Sequence, residues 1–140
     1  MLQRRRRRGF TLMEVLLVLV ILVALGSMVG VFIRGAQKKA AIDTARAQIG
    51  SLAQAVEAYQ LDLKNYPTTQ QGLAALNEAP GDLPNPEKWG PGGPYVKKKI
   101  PLDPWDKPYQ YELIDPDTYR IWSLGPDGQD GTDDDIDSQT

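Results

Sequence analysis

From Phe10 to Ile33 the chain is almost wholly apolar, and five arginines, Arg4–Arg8, stand directly before that run. As a helix the 24 residues extend about 36 Å at 1.5 Å per residue, enough to cross a bilayer core of about 30 Å. A soluble fold of this size has no way to bury such a rod on every side. The run therefore reads as a single membrane span. The arginines predict that the N-terminus stays in the cytoplasm and the C-terminus lies outside. A cleaved secretory signal is the rival reading. Its apolar region is shorter, about 7–15 residues, and ends at a small-residue site. The run here has neither property. The arginines also match a nucleic-acid patch or nuclear address, but arginines abutting a membrane-length run are more simply a topology signal, and no nucleic-acid partner is expected.

Of 140 residues, about a hundred remain for a globular part, a size at which cores are thin and staples are common. There is no cysteine and no histidine. Disulfides, the usual zinc sites and Ser-His or Cys-His nucleophile pairs are thereby excluded. No phosphate-binding glycine loop occurs, so the chain is not a motor, and no enzyme activity is expected. The formal charge of −2 conceals an asymmetry: the start is basic, and six aspartates lie between Asp127 and Asp137.

The helical period continues beyond the apolar run. Ala45, Ile49, Leu52, Val56, Tyr59 and Leu63 recur at spacings of three and four and form one stripe. Lys38, Asp43, Arg46, Gln48 and Lys64 fall on the opposite side. No proline precedes Pro67, which ends the helix because the residue before a proline disfavours it. Thr68 and Gln71 match a capping box, with Leu73 and Leu76 as the apolar residues of a short helix. A proline- and glycine-rich stretch follows, and Trp89, Tyr95, Ile100 and Trp105 argue that it is ordered. Tyr109–Leu113 and Tyr119–Ser123 read as strands joined at Asp115-Pro116-Asp117. An isolated hairpin is marginal, so it is expected to pack on the stripe. The predicted class is α+β: a long N-terminal helix with a small antiparallel sheet against its C-terminal half. Its segments are a leader at 1–9, a membrane and polymerisation helix at 10–33, an amphipathic continuation at 34–65 and a globular part at 66–140.

Arg7 to Glu14 reads Arg-Arg-Gly-Phe-Thr-Leu-Met-Glu. With the apolar run in register, this resembles the type IV prepilin signature. The resemblance implies that a prepilin peptidase cuts between Gly9 and Phe10 and that the new amine of Phe10 is methylated. An acid inside a membrane helix is costly and usually has a partner. Glu14 is expected to pair with the Phe10 amine of a neighbouring subunit, each charge offsetting the other's burial. A glutamate placed in a first turn by the helix dipole is the plainer alternative.

Ser123 to Ile136 reads SLGPDGQDGTDDDI. Calcium takes about 6–8 oxygen ligands, and glycine permits the tight curvature such a loop needs. The segment matches neither the EF-hand pattern nor the nonapeptide repeat of calcium-binding β-helices. On composition alone a solvated acidic tail is the simpler reading. Three blocks then carry a closer resemblance: Tyr66-Pro67-Thr68-Thr69-Gln70-Gln71-Gly72-Leu73, Leu102-Asp103-Pro104-Trp105 with Pro108-Tyr109, and Ser123-Leu124-Gly125 with Asp127-Gly128. They are similar to the major pseudopilin (G-type) family of type II protein secretion. The resemblance implies a calcium loop at 123–137, with carboxylates from Asp127, Asp134 and Asp135 and carbonyls from Leu124, Thr132 and Gln129. Asp106 and Pro126 depart from the family pattern, which usually has glycine and alanine there.

The function so implied is that of a structural subunit. It would sit in the bacterial inner membrane with its C-terminal part in the periplasm. It would polymerise into a helical filament with minor pseudopilins on an inner-membrane assembly platform, and so drive folded exoproteins across the outer membrane. A type IV pilin for adhesion, motility or DNA uptake is the alternative. A membrane-anchored calcium-binding domain that never polymerises is a third reading.

Overall fold

The computed structural model describes residues 9–138, with 29–32 described as backbone only. The arginines of the leader lie outside the described residues. The chain divides into two compact units, one up to Lys39 and one from Ala40 onward.

Helix α1 spans Leu12–Leu63. It passes through Gly26, Gly30 and Gly35 without interruption. In the first unit its large apolar side chains have no protein cover: Leu12, Met13, Val23 and Met28 are all more than two-thirds exposed. It is the one helix among the described residues long and apolar enough to cross a membrane, and none of that span is buried within the chain. In the second unit the same helix is amphipathic. Ala45, Ile49, Leu52, Val56 and Tyr59 are buried as the spacing predicts, Leu63 is half-buried, and Ala55 joins them. The helix stops at Leu63, slightly before the expected end at residue 65. Lys64 turns to φ 66° while its ammonium caps the Leu61 carbonyl at 2.7 Å.

The capping box closes reciprocally: Thr68 N–H donates to Gln71 Oε1 at 3.0 Å, and Gln71 N–H to Thr68 Oγ1 at 3.2 Å. The element it opens is a 3₁₀ helix, Gly72–Leu76, which seats Leu73, Ala75 and Leu76 in the core. The proline-rich stretch is ordered by specific bonds. Trp89 Nε1–H donates to the Ala75 carbonyl at 2.8 Å, Val96 N–H to the Leu76 carbonyl at 3.0 Å, and Tyr95 O–H to Asp62 at 2.9 Å.

Strands β1 (Gln110–Asp115) and β2 (Thr118–Ser123) form the expected hairpin, with Tyr111 opposite Ile121 and a register shift between Leu113 and Asp115. A third strand, β3 (Ile136–Asp137), adds antiparallel to β2, giving the order β1-β2-β3. Tyr109, Tyr111, Ile121 and Ile136 complete the core against the helix stripe. Gln48, expected on the exposed side, is half-buried because it accepts the Tyr109 hydroxyl.

The chain has six tyrosines, and all six pKa values are raised, burial being the first cause in each. Tyr59 and Tyr109 are pushed up to about 12. Tyr119 is raised further by its hydrogen bond to Glu57. A phenol with a raised folded pKa favours folding fully below its unfolded value near 10 and loses that contribution as pH rises through the folded value. The tyrosine contribution to stability is therefore expected to be lost above about pH 10. Tyrosinate absorbance and circular dichroism should change together there. Ordinary titration near pH 10 with the fold intact would contradict this.

Candidate functional site

Two regions hold the residues singled out in the sequence. The first is the start of α1. Gly9 and Phe10 are exposed and precede the helix. Thr11 caps it: Glu14 N–H donates to Thr11 Oγ1 at 3.3 Å and to the Thr11 carbonyl at 3.1 Å. Glu14 thus lies in the first turn, exposed in the single chain. The Thr11 cap is a residue the sequence reading passed over, although Thr-x-x-Glu is itself a capping pattern.

The second region is the acidic loop between β2 and β3. Gly125, at φ 62°, lies so close to the far side of the loop that a Cβ there would stand 2.2 Å from the Asp134 carbonyl oxygen. That contact brings the two ends of the loop together. Within the loop, Gly128 N–H donates to the Leu124 carbonyl at 3.2 Å and Gln129 N–H to Asp127 Oδ1 at 2.9 Å. Thr132 O–H donates to the Gln129 carbonyl at 3.3 Å, and Asp135 N–H to the Thr132 carbonyl at 3.2 Å. Asp135 Oδ2 accepts from Gly131 N–H at 2.8 Å, while its Oδ1 is buried with no hydrogen-bond partner.

The loop is anchored at both ends. At β3, Arg120 pairs with Asp137 at 2.5 Å and stacks over the Trp122 ring, 4.3 Å from its centroid. The Arg120 pKa is raised, chiefly by the Asp137 bond, with Asp130 and Asp135 adding to it. At β2, Asp103 is buried and ties the loop to the 103–107 turn. Its Oδ2 accepts the Ser123 hydroxyl at 2.5 Å, and Ser123 Oγ accepts Gly125 N–H at 3.1 Å. Its Oδ1 accepts Trp105 N–H at 3.0 Å and Lys107 N–H at 2.8 Å. Asp106 adopts φ 62°, a conformation in which glycine costs nothing and an aspartate is tolerated.

Every ligand named from the sequence lies in this loop, and every donor atom is a hard oxygen. A buried carboxylate oxygen without a protein donor is expensive, and a cation would satisfy it. The donor set fits an oxygen-seeking divalent ion. As placed, the carboxylates of Asp127, Asp134 and Asp135 are not one cluster: among the described residues, no group of three acidic side chains stands close enough to hold a metal ion.

Residues 33–139 match the family model described as type II secretion system protein G. The chain belongs to the type II secretion protein G family. Residues 4–30 match the prokaryotic N-terminal methylation motif. The core protein G of Aeromonas hydrophila is 44% identical over 138 residues, covering 96% of this chain and 94% of the relative. That of Pseudomonas aeruginosa is 41% identical, covering 93% and 91%. The crystal structure of the major pseudopilin from the type 2 secretion system of enterohaemorrhagic Escherichia coli superposes with a TM-score of 0.64 at 35% identity. It covers 74% of this chain and 90% of that one. These matches favour a protein G pseudopilin over a type IV pilin.

Proposed function

We propose that this chain is a structural subunit of a type II secretion pseudopilus. The reading is carried by one observation: the first part of α1 is of membrane length, is apolar on all sides and has no cover within the chain. Lipid covers such a helix before assembly, and copies of the same helix cover it afterwards. Contacts that repeat head to tail without closing generate a filament. The single span anchors the chain in the inner membrane with its second unit in the periplasm. Cleavage between Gly9 and Phe10 by a prepilin peptidase, followed by methylation of Phe10, prepares the subunit. Its partners are further copies, minor pseudopilins and an inner-membrane assembly platform, and the work is mechanical export of folded proteins. Mass spectrometry of the chain isolated from membranes tests this. Loss of Met1–Gly9 with one methyl group on the new terminus is expected. A product that keeps its arginines and stays monomeric overturns the reading.

We further propose that the acidic loop takes Ca²⁺, held by Asp127, Asp134 and Asp135 with the carbonyls of Leu124, Thr132 and Gln129. The buried Asp135 oxygen supports this. When bound, the ion supplies positive charge that cross-links the loop. The residues themselves hold the loop curved, and binding would draw the three carboxylates together. Binding only to the folded state stabilises by about 2.7 kcal/mol at a hundredfold excess over Kd. EDTA is therefore expected to lower the Tm, and Asp127→Ala to abolish the difference between EDTA and calcium. Identical melting curves in the two would refute calcium binding.

A further inference from the structure

The acidic loop already rests on a cation that its chemistry alone does not predict. The Lys107 ammonium donates to the Gly125 carbonyl at 3.2 Å and to the Pro126 carbonyl at 3.4 Å. It also fills the space over Gly128, where a Cβ would meet Lys107 Nζ at 2.2 Å and Cε at 2.9 Å. With φ 73°, Gly128 both makes the turn and admits the lysine.

This lysine is aimed by its backbone. Its N–H donates to Asp103 Oδ1 at 2.8 Å, and its carbonyl accepts Asp103 N–H at 2.8 Å. The same Asp103 holds Ser123, which holds Gly125. The turn that launches the lysine and the loop that receives it are therefore tied through one buried carboxylate. An ordinary surface lysine loses rotamer freedom for little return. Here the stem is packed, and the ammonium meets two carbonyls whose negative ends converge.

We propose that Lys107 is a built-in cation of the acidic loop, ordering its first half, residues 124–129, whether or not a metal is present. The loop carries five aspartates, and Asp137 of β3 adds a sixth. Arg120 offsets charge at the β3 end, and Lys107 does so at the β2 end. A divalent ion would then join this ordered first half to the second, through Asp134 and Asp135; that clause alone rests on the calcium reading above.

The test is amide hydrogen exchange on the full chain in detergent micelles, in EGTA and in calcium. In EGTA, Lys107→Met should exchange at Gly128 and Gln129 about tenfold faster than wild type. Lys107→Arg, which keeps a cation, should stay within about threefold. Amides of β1 and β2 report whether each variant is folded. Acetylation of the wild-type chain needs no variant: Lys107 should react more slowly than the exposed Lys97, Lys98 and Lys99. Wild-type exchange rates in Lys107→Met overturn the proposal, as does Lys107 acetylating as fast as those three. The calcium reading fails separately, if calcium leaves Gly131 and Asp135 exchange unchanged in both chains.

Discussion

Replacing Glu14 by leucine is expected to leave membrane insertion intact and to cut filament yield at least about tenfold, a loss of at least about 1.4 kcal/mol per contact. The expectation follows from where the residue sits. Glu14 lies in the first turn of α1, exposed in the single chain, as the one charged side chain between Phe10 and Ile33. Leucine favours the bilayer more than glutamate does, so insertion does not suffer. Within a packed bundle of such helices, an unpaired carboxylate would cost several kcal/mol. No lysine or arginine lies between Phe10 and Ile33, so the matching cation within the run is the α-amine that cleavage after Gly9 would create on Phe10.

The dipole reading of Glu14 gives a different outcome. A glutamate that only complements the helix N-terminus, with Thr11 as cap, contributes about 0.3–1 kcal/mol. Its loss would fray one turn and leave assembly nearly untouched. Cysteine crosslinking between neighbouring copies, compared for wild type, Glu14→Gln and Glu14→Leu, separates the two. Both variants should lose crosslinked ladders if an ion pair sets the register. Ladders that persist in both would leave the dipole as the residue's only role.

How far the sequence could be read depended on the range of the interactions involved. The buried stripe from Ala45 to Tyr59 was legible because a 3.6-residue period is written locally. So was the Thr68–Gln71 box, three residues apart. The helix that it opens came out as 3₁₀, because Val96 N–H and the Trp89 indole claim the Leu76 and Ala75 carbonyls from outside. Strand β3 was hidden in the aspartate run. Two residues have no period, and Ile136 is a strand residue only because Ser123 pairs with it. The placement of the candidate loop was legible from its composition and family resemblance. Its anchors were not. Asp103 reads as a turn aspartate before proline, and nothing local says that Ser123, twenty residues away, will close on it. Lys107 is equally mute until the fold sets it beside Gly128.

That buried aspartate supports the other large prediction: Asp103→Ala should destabilise the second unit by about 3 kcal/mol. The side chain is only 3% exposed and accepts from two backbone amides and one hydroxyl. Removing it strands three buried or half-buried donors at about 1–3 kcal/mol each, less what water recovers. Asp103→Asn should cost less, about 1 kcal/mol, since an amide oxygen still serves Trp105 and Lys107. Ser123→Ala breaks only the link to the loop. If that link carries the coupling, then adding Ser123→Ala to Asp103→Ala should cost almost nothing further, a non-additivity of about 1 kcal/mol or more. Denaturant unfolding of the full chain measures all four states of the cycle. Independent, fully additive losses would mean that turn and loop are held separately. A loss below about 1 kcal/mol for Asp103→Ala would mean that water replaces the carboxylate. With coupling, one buried carboxylate sets three things together: the turn geometry, the aim of Lys107 and the first residues of the acidic loop.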